Sequence, residues 1–173
     1  MVKVPNNMSE KIDFTIITPS LNYGKYIDEC LSSVEIQHGV VLEHLIFDAG
    51  STDNTIEIIS RYPEAHLVQE PDDGMSSAIN KGFESAKGEW IMWLNADDRL
   101  KPGALKAILE FAAGKEADVL YSGWDFVDEK GDLLRPMTIF PFIDILFKDF
   151  RISLTADWSA PILSFLPIYK EAP

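Results

Sequence analysis

Trp90-Ile-Met-Trp-Leu-Asn-Ala-Asp97-Asp98 is a continuous apolar run that stops at two adjacent carboxylates. A run of this length bounded by polar residues reads as a strand buried on both faces, the kind found in parallel sheets. Open α/β sheets place their ligands at the C-terminal ends of such strands. Asp97 and Asp98 would there offer hard oxygen ligands at the mouth of a crevice. Such ligands suit a Mg²⁺ or Mn²⁺ ion that substrate phosphates also hold. The alternative is that the pair forms a turn leading to a helix near Pro102, since Asp is common in turns. The rest of the chain has to decide between the two.

Working outward, strand and helix patterns alternate. Phe14–Thr18 is a β-branched run expected to stop at Pro19. Tyr26, Ile27, Cys30, Leu31 and Val34 then recur at helical spacing. Leu42–Phe47 reads as a second strand, running into Asp48-Ala-Gly-Ser-Thr-Asp53. Asp53 or Asn54 can cap the following helix, with Glu57 placed for a capping box on Asn54. Ala65–Gln69 is a short third strand before the turn-rich Glu70-Pro-Asp-Asp-Gly74. Met75, Ala78, Ile79, Gly82, Phe83 and Ala86 form a helical stripe, with Gly88 as its expected stop. After the opening strand, Leu105, Ile108 and Leu109 mark another helix. Val119–Tyr121 reads as a strand, and Phe126–Leu134 as a hairpin around a turn containing Gly131. Strands alternating with helices of this length imply βαβ units and a mainly parallel sheet flanked by helices. Beyond about residue 137 four prolines break the pattern, and no element is assigned.

Composition limits the function. The 173 residues suffice for one domain with a proper core, and 46% hydrophobic with 25% charged residues is ordinary for a globular chain. A formal net charge of −13, without a Lys/Arg cluster, argues against a nucleic-acid partner. A diphosphate remains acceptable if a cation neutralises the contact. The single cysteine, Cys30, fits a reducing compartment and reads as a packing residue. Neither a signal-peptide pattern nor a membrane-spanning apolar stretch is read. Gly-x-Gly-x-x-Gly, Gly-x-x-x-x-Gly-Lys-Ser/Thr and Gly-x-Ser-x-Gly are all missing, which argues against dinucleotide, P-loop and serine-hydrolase sites. With His38, His44 and His66 as the only histidines, a zinc site is not expected.

Three strand ends carry small polar or acidic residues: Thr18-Pro-Ser-Leu-Asn22-Tyr23, Asp48-Ala-Gly-Ser-Thr-Asp53 and Asn95-Ala-Asp97-Asp98. In a parallel sheet these ends converge on one edge. In this order they resemble family 2 glycosyltransferases of the GT-A fold. Asp48–Thr55 is similar to the family's "DGGSTDGT" element and Thr18–Tyr23 to its opening "TPSYN". Glu70–Gly74, Ala78-Ile-Asn80-Lys-Gly82 and Leu94–Asp98 match further motifs of the same family. The resemblance covers about residues 12–135, as a donor-binding domain. Residues 1–11 are expected to form a flexible lead-in, and 136–173 a partial acceptor-side region or truncated tail.

The resemblance implies a nucleotide-diphospho-sugar donor, a Mg²⁺ or Mn²⁺ ion, and inverting sugar transfer to a glycan or lipid-linked acceptor, as in polysaccharide biosynthesis. Carried over by position, Thr18, Pro19, Asn22 and Tyr23 would line the nucleoside pocket. Asp48 would reach the base or ribose, with Asp53 nearby. Asp97 would lie towards the ribose, and Asp98 would be the stronger metal ligand. Asn95, Asn80 and Lys81 would help position the sugar and diphosphate. For several of these a structural reading stands beside the functional one: Asp53 as a helix cap, Asn80 and Lys81 as a solvated face, Pro19 as a strand stop.

The chain departs from the family pattern at Ala49, where many relatives carry Asp or Gly, and at Ser77, where Asp is frequent. Inversion requires a carboxylate base downstream of the metal motif. Asp157, beside Trp158, is the candidate, although it falls closer to that motif than the pattern expects. Two other readings remain: a donor-binding but catalytically incomplete transferase fragment needing a partner or a missing C-terminal segment, and a nucleotidyltransferase. The last lacks the Gly-rich basic loop that a triphosphate needs. A lipid-linked acceptor would bring a cytoplasmic protein to the inner face of the membrane as a peripheral protein. Self-association is left open.

Overall fold

The computed structural model describes residues 11–137, except 116, 121, 129 and 130, together with the backbone of residues 168–170. β1 (Phe14–Ser20), β2 (Leu42–Asp48), β3 (Ala65–Gln69) and β4 (Trp90–Trp93) form a parallel sheet in the order β3-β2-β1-β4. Between them run α1 (Ile27–Glu35), α2 (Thr55–Ile59) and α3 (Met75–Ser85), and α4 (Ala104–Ala112) follows β4. β5 (Val119–Leu120) joins the far side of this sheet through β8 (Ile168–Lys170), which runs antiparallel to both β4 and β5. β6 (Trp124–Val127) and β7 (Leu133–Met137) form the expected hairpin as a separate two-stranded sheet.

The opening strand behaves as its composition requires. Trp90 and Met92 pack with Phe14, Ile16, Cys30, Val34 and Leu105 on the α1/α4 face. Ile91 points the other way, to Ile17, Phe47 and Ala78 under α3. Apolar residues are needed on both sides because the strand has no solvent face. Each fully buried aliphatic or aromatic side chain contributes roughly 2 kcal/mol of transfer free energy. A further cluster of Ile27, Leu31, Ile46, Ile58 and Ile59 seats α2 beside α1.

Several sequence expectations are corrected. β1 runs through Pro19 to Ser20. Ile17 O accepts from Leu94 N on the β4 side, and Pro19, two residues on, faces the same side. β4 has ended there, so no ladder donor is lost. The capping box on Asn54 does not form, and Asn54 makes no side-chain cap bond. Glu57 instead pairs with Arg61 at 3.0 Å. Gly88 is not a left-handed helix stop, since α3 ends at Ser85 with Ala86 extended. A Cβ on Gly88 would sit 2.4 Å from Thr15 N, so close strand approach demands the glycine. β8 lies in the Pro-broken stretch where no element was expected. It is held by pairing with β4 and β5 rather than by a local pattern.

Candidate active site at the C-terminal edge of the sheet

The loops after β1, β2 and β4 meet because their strands are neighbours in one parallel sheet. The first two are laced together. Ser51 Oγ donates to Asp48 Oδ2 at 2.5 Å and accepts from Asn22 N at 2.7 Å. Asn22 Oδ1 accepts from Thr52 N at 2.8 Å. Asn22 holds a left-handed backbone (φ 59°), which Asn tolerates better than most residues. Asp53 Oδ2 accepts from Gly24 N at 2.9 Å. A Cβ on Gly24 would lie 1.9 Å from Asn54 Oδ1 and 2.9 Å from Asp53 Oδ2, so any side chain there would push both of these side chains aside.

Asp48 is fully buried and satisfied locally. Its Oδ1 accepts from Gly50 N at 3.0 Å and Ser51 N at 2.7 Å. A buried carboxylate needs such donors. Asp53 does act as a cap, through Thr55 rather than the helix's own N-cap position. Its Oδ1 takes the Thr55 N–H at 3.0 Å and the Thr55 hydroxyl at 2.5 Å. That hydroxyl, followed by the backbone donors, holds the Asp53 carboxyl below its ordinary range.

After β4, Asn95 Nδ2 donates to Asp98 Oδ2 at 2.9 Å. Asp97 is exposed and Asp98 half-buried. Burial raises the Asp98 carboxyl, against the Asn95 hydrogen bond, and the Asp97 charge adds to the rise. Tyr23 shares this environment. Burial raises its phenol first, and the carboxylates of Asp97 and Asp98 raise it further. Two buried oxygens at this edge, Ser20 Oγ and Asn95 Oδ1, have no protein partner. Such orphans are costly unless a ligand completes them.

The donor set at Asn95–Asp98 is entirely hard oxygen, and the half-buried Asp98 carboxylate forms no ion pair among the described residues, so the set fits a Mg²⁺ or Mn²⁺ ion. No group of three or more His, Cys, Asp or Glu side chains converges among the described residues. An ion here would complete its coordination with substrate oxygens and water.

Not every expected residue joins this edge by its side chain. Thr18 is fully buried, with its hydroxyl 2.8 Å from His44 Nε2 in the α1 layer. Pro19 is buried within β1. Lys81 reaches back to the β3–α3 loop, pairing with Glu70 at 2.6 Å, and Asn80 lies exposed on α3. Asp157 lies outside the described residues. Ser20 and Ser51 were missed as individual site residues; only their position beside the Asp48 and Asn22 motifs could have flagged them. Cys30, read as packing, is buried, and burial pushes its thiol up to about 12.

The chain is thus a three-layer α/β domain with acidic and amide groups at one edge of its sheet. The Glycosyl transferase family 2 profile matches residues 15–166, and the chain belongs to that family. The fold is GT-A, shared with solved glycosyltransferases. S. aureus TarS 1–349 in complex with UDP-GlcNAc aligns at TM-score 0.58 and 28% identity, over 62% of this chain and 33% of that one. The mannosyltransferase PcManGT from Pyrobaculum calidifontis, in complex with GDP-Man and Mn²⁺, aligns at TM-score 0.58 and 24% identity over 66% and 36%. Among curated relatives, chondroitin synthase of Pasteurella multocida is 35% identical over 125 residues, 69% of this chain and 13% of that protein. Glycosyltransferase GlyG of Streptococcus pneumoniae is 33% identical over 172 residues, 94% of this chain and 56% of that protein. The chain thus spans from about an eighth to about half the length of these relatives. Among the described residues, no helix is long and apolar enough to cross a membrane.

Proposed function

We propose that this domain binds a nucleotide-diphospho-sugar together with Mg²⁺ or Mn²⁺ and transfers the sugar, with inversion, to a glycan or lipid-linked acceptor. The observation that carries this reading is the Asn95–Asp98 edge. There an under-compensated carboxylate, an exposed second carboxylate and an orphaned amide oxygen lie together. Binding of UDP-GlcNAc by TarS and of GDP-Man with Mn²⁺ by PcManGT supports the donor class and the ion.

Asp98 and Asp97 would hold the ion, with Asn95 fixing the Asp98 rotamer. The ion, when bound, stabilises the negative charge that develops on the departing diphosphate. The acceptor hydroxyl oxygen forms a bond to the anomeric carbon while the bond from that carbon to the β-phosphate oxygen breaks. The hydroxyl proton passes to a carboxylate base, for which Asp157 is the candidate, and the nucleoside diphosphate leaves. Asn22, Tyr23, Asp48 and Asp53 shape the nucleoside side, and Asn80 and Lys81 lie towards the sugar and diphosphate. Lys81 must exchange Glu70 for phosphate to do so.

Calorimetry with uridine and guanosine diphosphates, with Mn²⁺ or with chelator, tests the donor site. Metal-dependent binding that Asp98→Ala weakens by about 100-fold is expected; binding indifferent to that change sinks the metal assignment. Sugar release from a labelled donor, lost in Asp157→Asn, tests the base. A second reading is a donor-binding but catalytically incomplete transferase that needs a partner or a further C-terminal segment to supply the base, since Asp157 lies outside the described residues. Binding without turnover on any acceptor would select it.

A further inference from the structure

Below the acidic loop, α1 presents three polar side chains at four-residue spacing: Glu29, Ser33 and, just past the helix end, Gln37. Positions four apart share one helix face. Their partners follow the same order along the loop after Asp98. Arg99 Nη1 donates to Glu29 Oε2 at 2.7 Å, and its Nη2 to Gly131 O at 3.2 Å. Leu100 N donates to Ser33 Oγ at 3.0 Å, while the Ser33 hydroxyl donates to Cys30 O. Gln37 Nε2 donates to Lys101 O and to Ser33 O, each at 3.0 Å, and Gln37 Oε1 accepts from Leu105 N at 3.2 Å. Ser33 and Gln37 are each only 5% exposed.

We propose that Glu29, Ser33 and Gln37 are positioning residues for the Asp97–Asp98 site, holding the acidic loop at the height where its carboxylates meet an ion and a diphosphate. This rests on the donor-site reading above. Between Leu94, bonded to Ile17 in the sheet, and Leu100, bonded to Ser33, the loop makes one backbone bond of its own, Asp98 N to Asn95 O at 3.0 Å. The carboxylates therefore sit on a short span anchored at β4 on one side and at α1 on the other. α1 fixes the far end of that span: Ser33 and Gln37 satisfy Leu100 N and Lys101 O, backbone groups that would otherwise need partners of their own. The bolts begin at the residue immediately after Asp98, so slack in them is felt at its carboxylate. Outer supports of metal ligands commonly change affinity by about 10–100-fold.

The test is the coupling between Mn²⁺ and uridine diphosphate, read as the ratio of nucleotide Kd values in chelator and in saturating Mn²⁺. Ser33→Ala and Gln37→Ala should lower this ratio about tenfold while leaving the chelator Kd unchanged. Glu43→Gln disturbs a buried network at the opposite end of the strands; it should lower Tm and leave the ratio alone. If a buried variant does not fold, the exposed pair decides: Arg99→Ala and Glu29→Gln should each lower the ratio about threefold. A wild-type ratio retained in every folded variant overturns the positioning role and leaves the donor site standing. A wild-type protein without Mn²⁺ coupling overturns both.

Discussion

The two ends of the parallel strands differ in how completely their buried polar groups are satisfied. At the N-terminal edge they are spent on the fold. Glu43 Oε1 accepts from Thr15 Oγ1 at 2.6 Å and from Lys87 N at 2.7 Å, and Thr15 Oγ1 accepts from Gly88 N at 2.8 Å. At the C-terminal edge Ser20 Oγ and Asn95 Oδ1 are buried without a protein partner, and Asp98 is pushed towards its protonated form by burial. The first arrangement is complete without a ligand. The second carries an unmet demand for one, and that contrast separates a structural polar network from a binding site.

The comparison can be broken most directly at Asp98. Asp98→Ala should weaken Mn²⁺-dependent nucleotide binding by about 100-fold, roughly 3 kcal/mol for a charge-assisted contact, with little loss of Tm. Calorimetry reads the first and a thermal scan the second. A large fall in Tm with binding retained would place Asp98 with the structural edge.

His44 tests the layer between the edges. Burial, with a smaller contribution from His66, pushes its imidazole down to about 4. A depressed histidine is neutral when folded, so its contribution is present above pH 6.5 and lost as pH falls through about 4. A gap from 6.5 to about 4 amounts to about 3 kcal/mol. The stability of wild type relative to His44→Gln, from urea midpoints, should therefore fall by about that amount between pH 7 and pH 4. Parallel profiles would contradict a buried neutral His44.

Glu43→Ala sharpens the N-terminal side. Removing the acceptor of the Thr15 hydroxyl, and leaving the Lys87 N–H with only its 3.1 Å bond to Thr15 Oγ1, should cost about 1–3 kcal/mol in urea unfolding, with nucleotide Kd unchanged. A shifted Kd would show that the two edges are coupled. The smallest effect is expected at the exposed Glu57–Arg61 pair on α2. Arg61→Ala should change stability by less than about 0.5 kcal/mol and binding not at all.

Much of this was readable along the chain, for reasons particular residues show. β1, β2 and β4 carry dense apolar runs because both faces are covered, and each ends in a polar motif at the same edge. The errors occur where partners are remote or local rules compete. Glu57 stands in the capping-box position, yet Arg61 four residues on offers an ion pair on the same helix face. Gly88 resembles a helix stop, but its reason is the Thr15 backbone, 73 positions away. Thr18 belongs to a ligand-lining motif, yet its side chain turns to His44. Ser33 and Gln37 bear no motif, because their partners lie more than 60 residues along the chain.

Trp90–Asp98 by itself determined a strand without a solvent face and an acidic end, because apolar run length and its abrupt stop are local properties. Tertiary structure alone decided which carboxylate is desolvated, which amide oxygen is left unpaired and which helix holds the loop. It also found a place in the sheet for Ile168–Lys170. These depend on contacts between segments far apart in sequence, which no local pattern encodes.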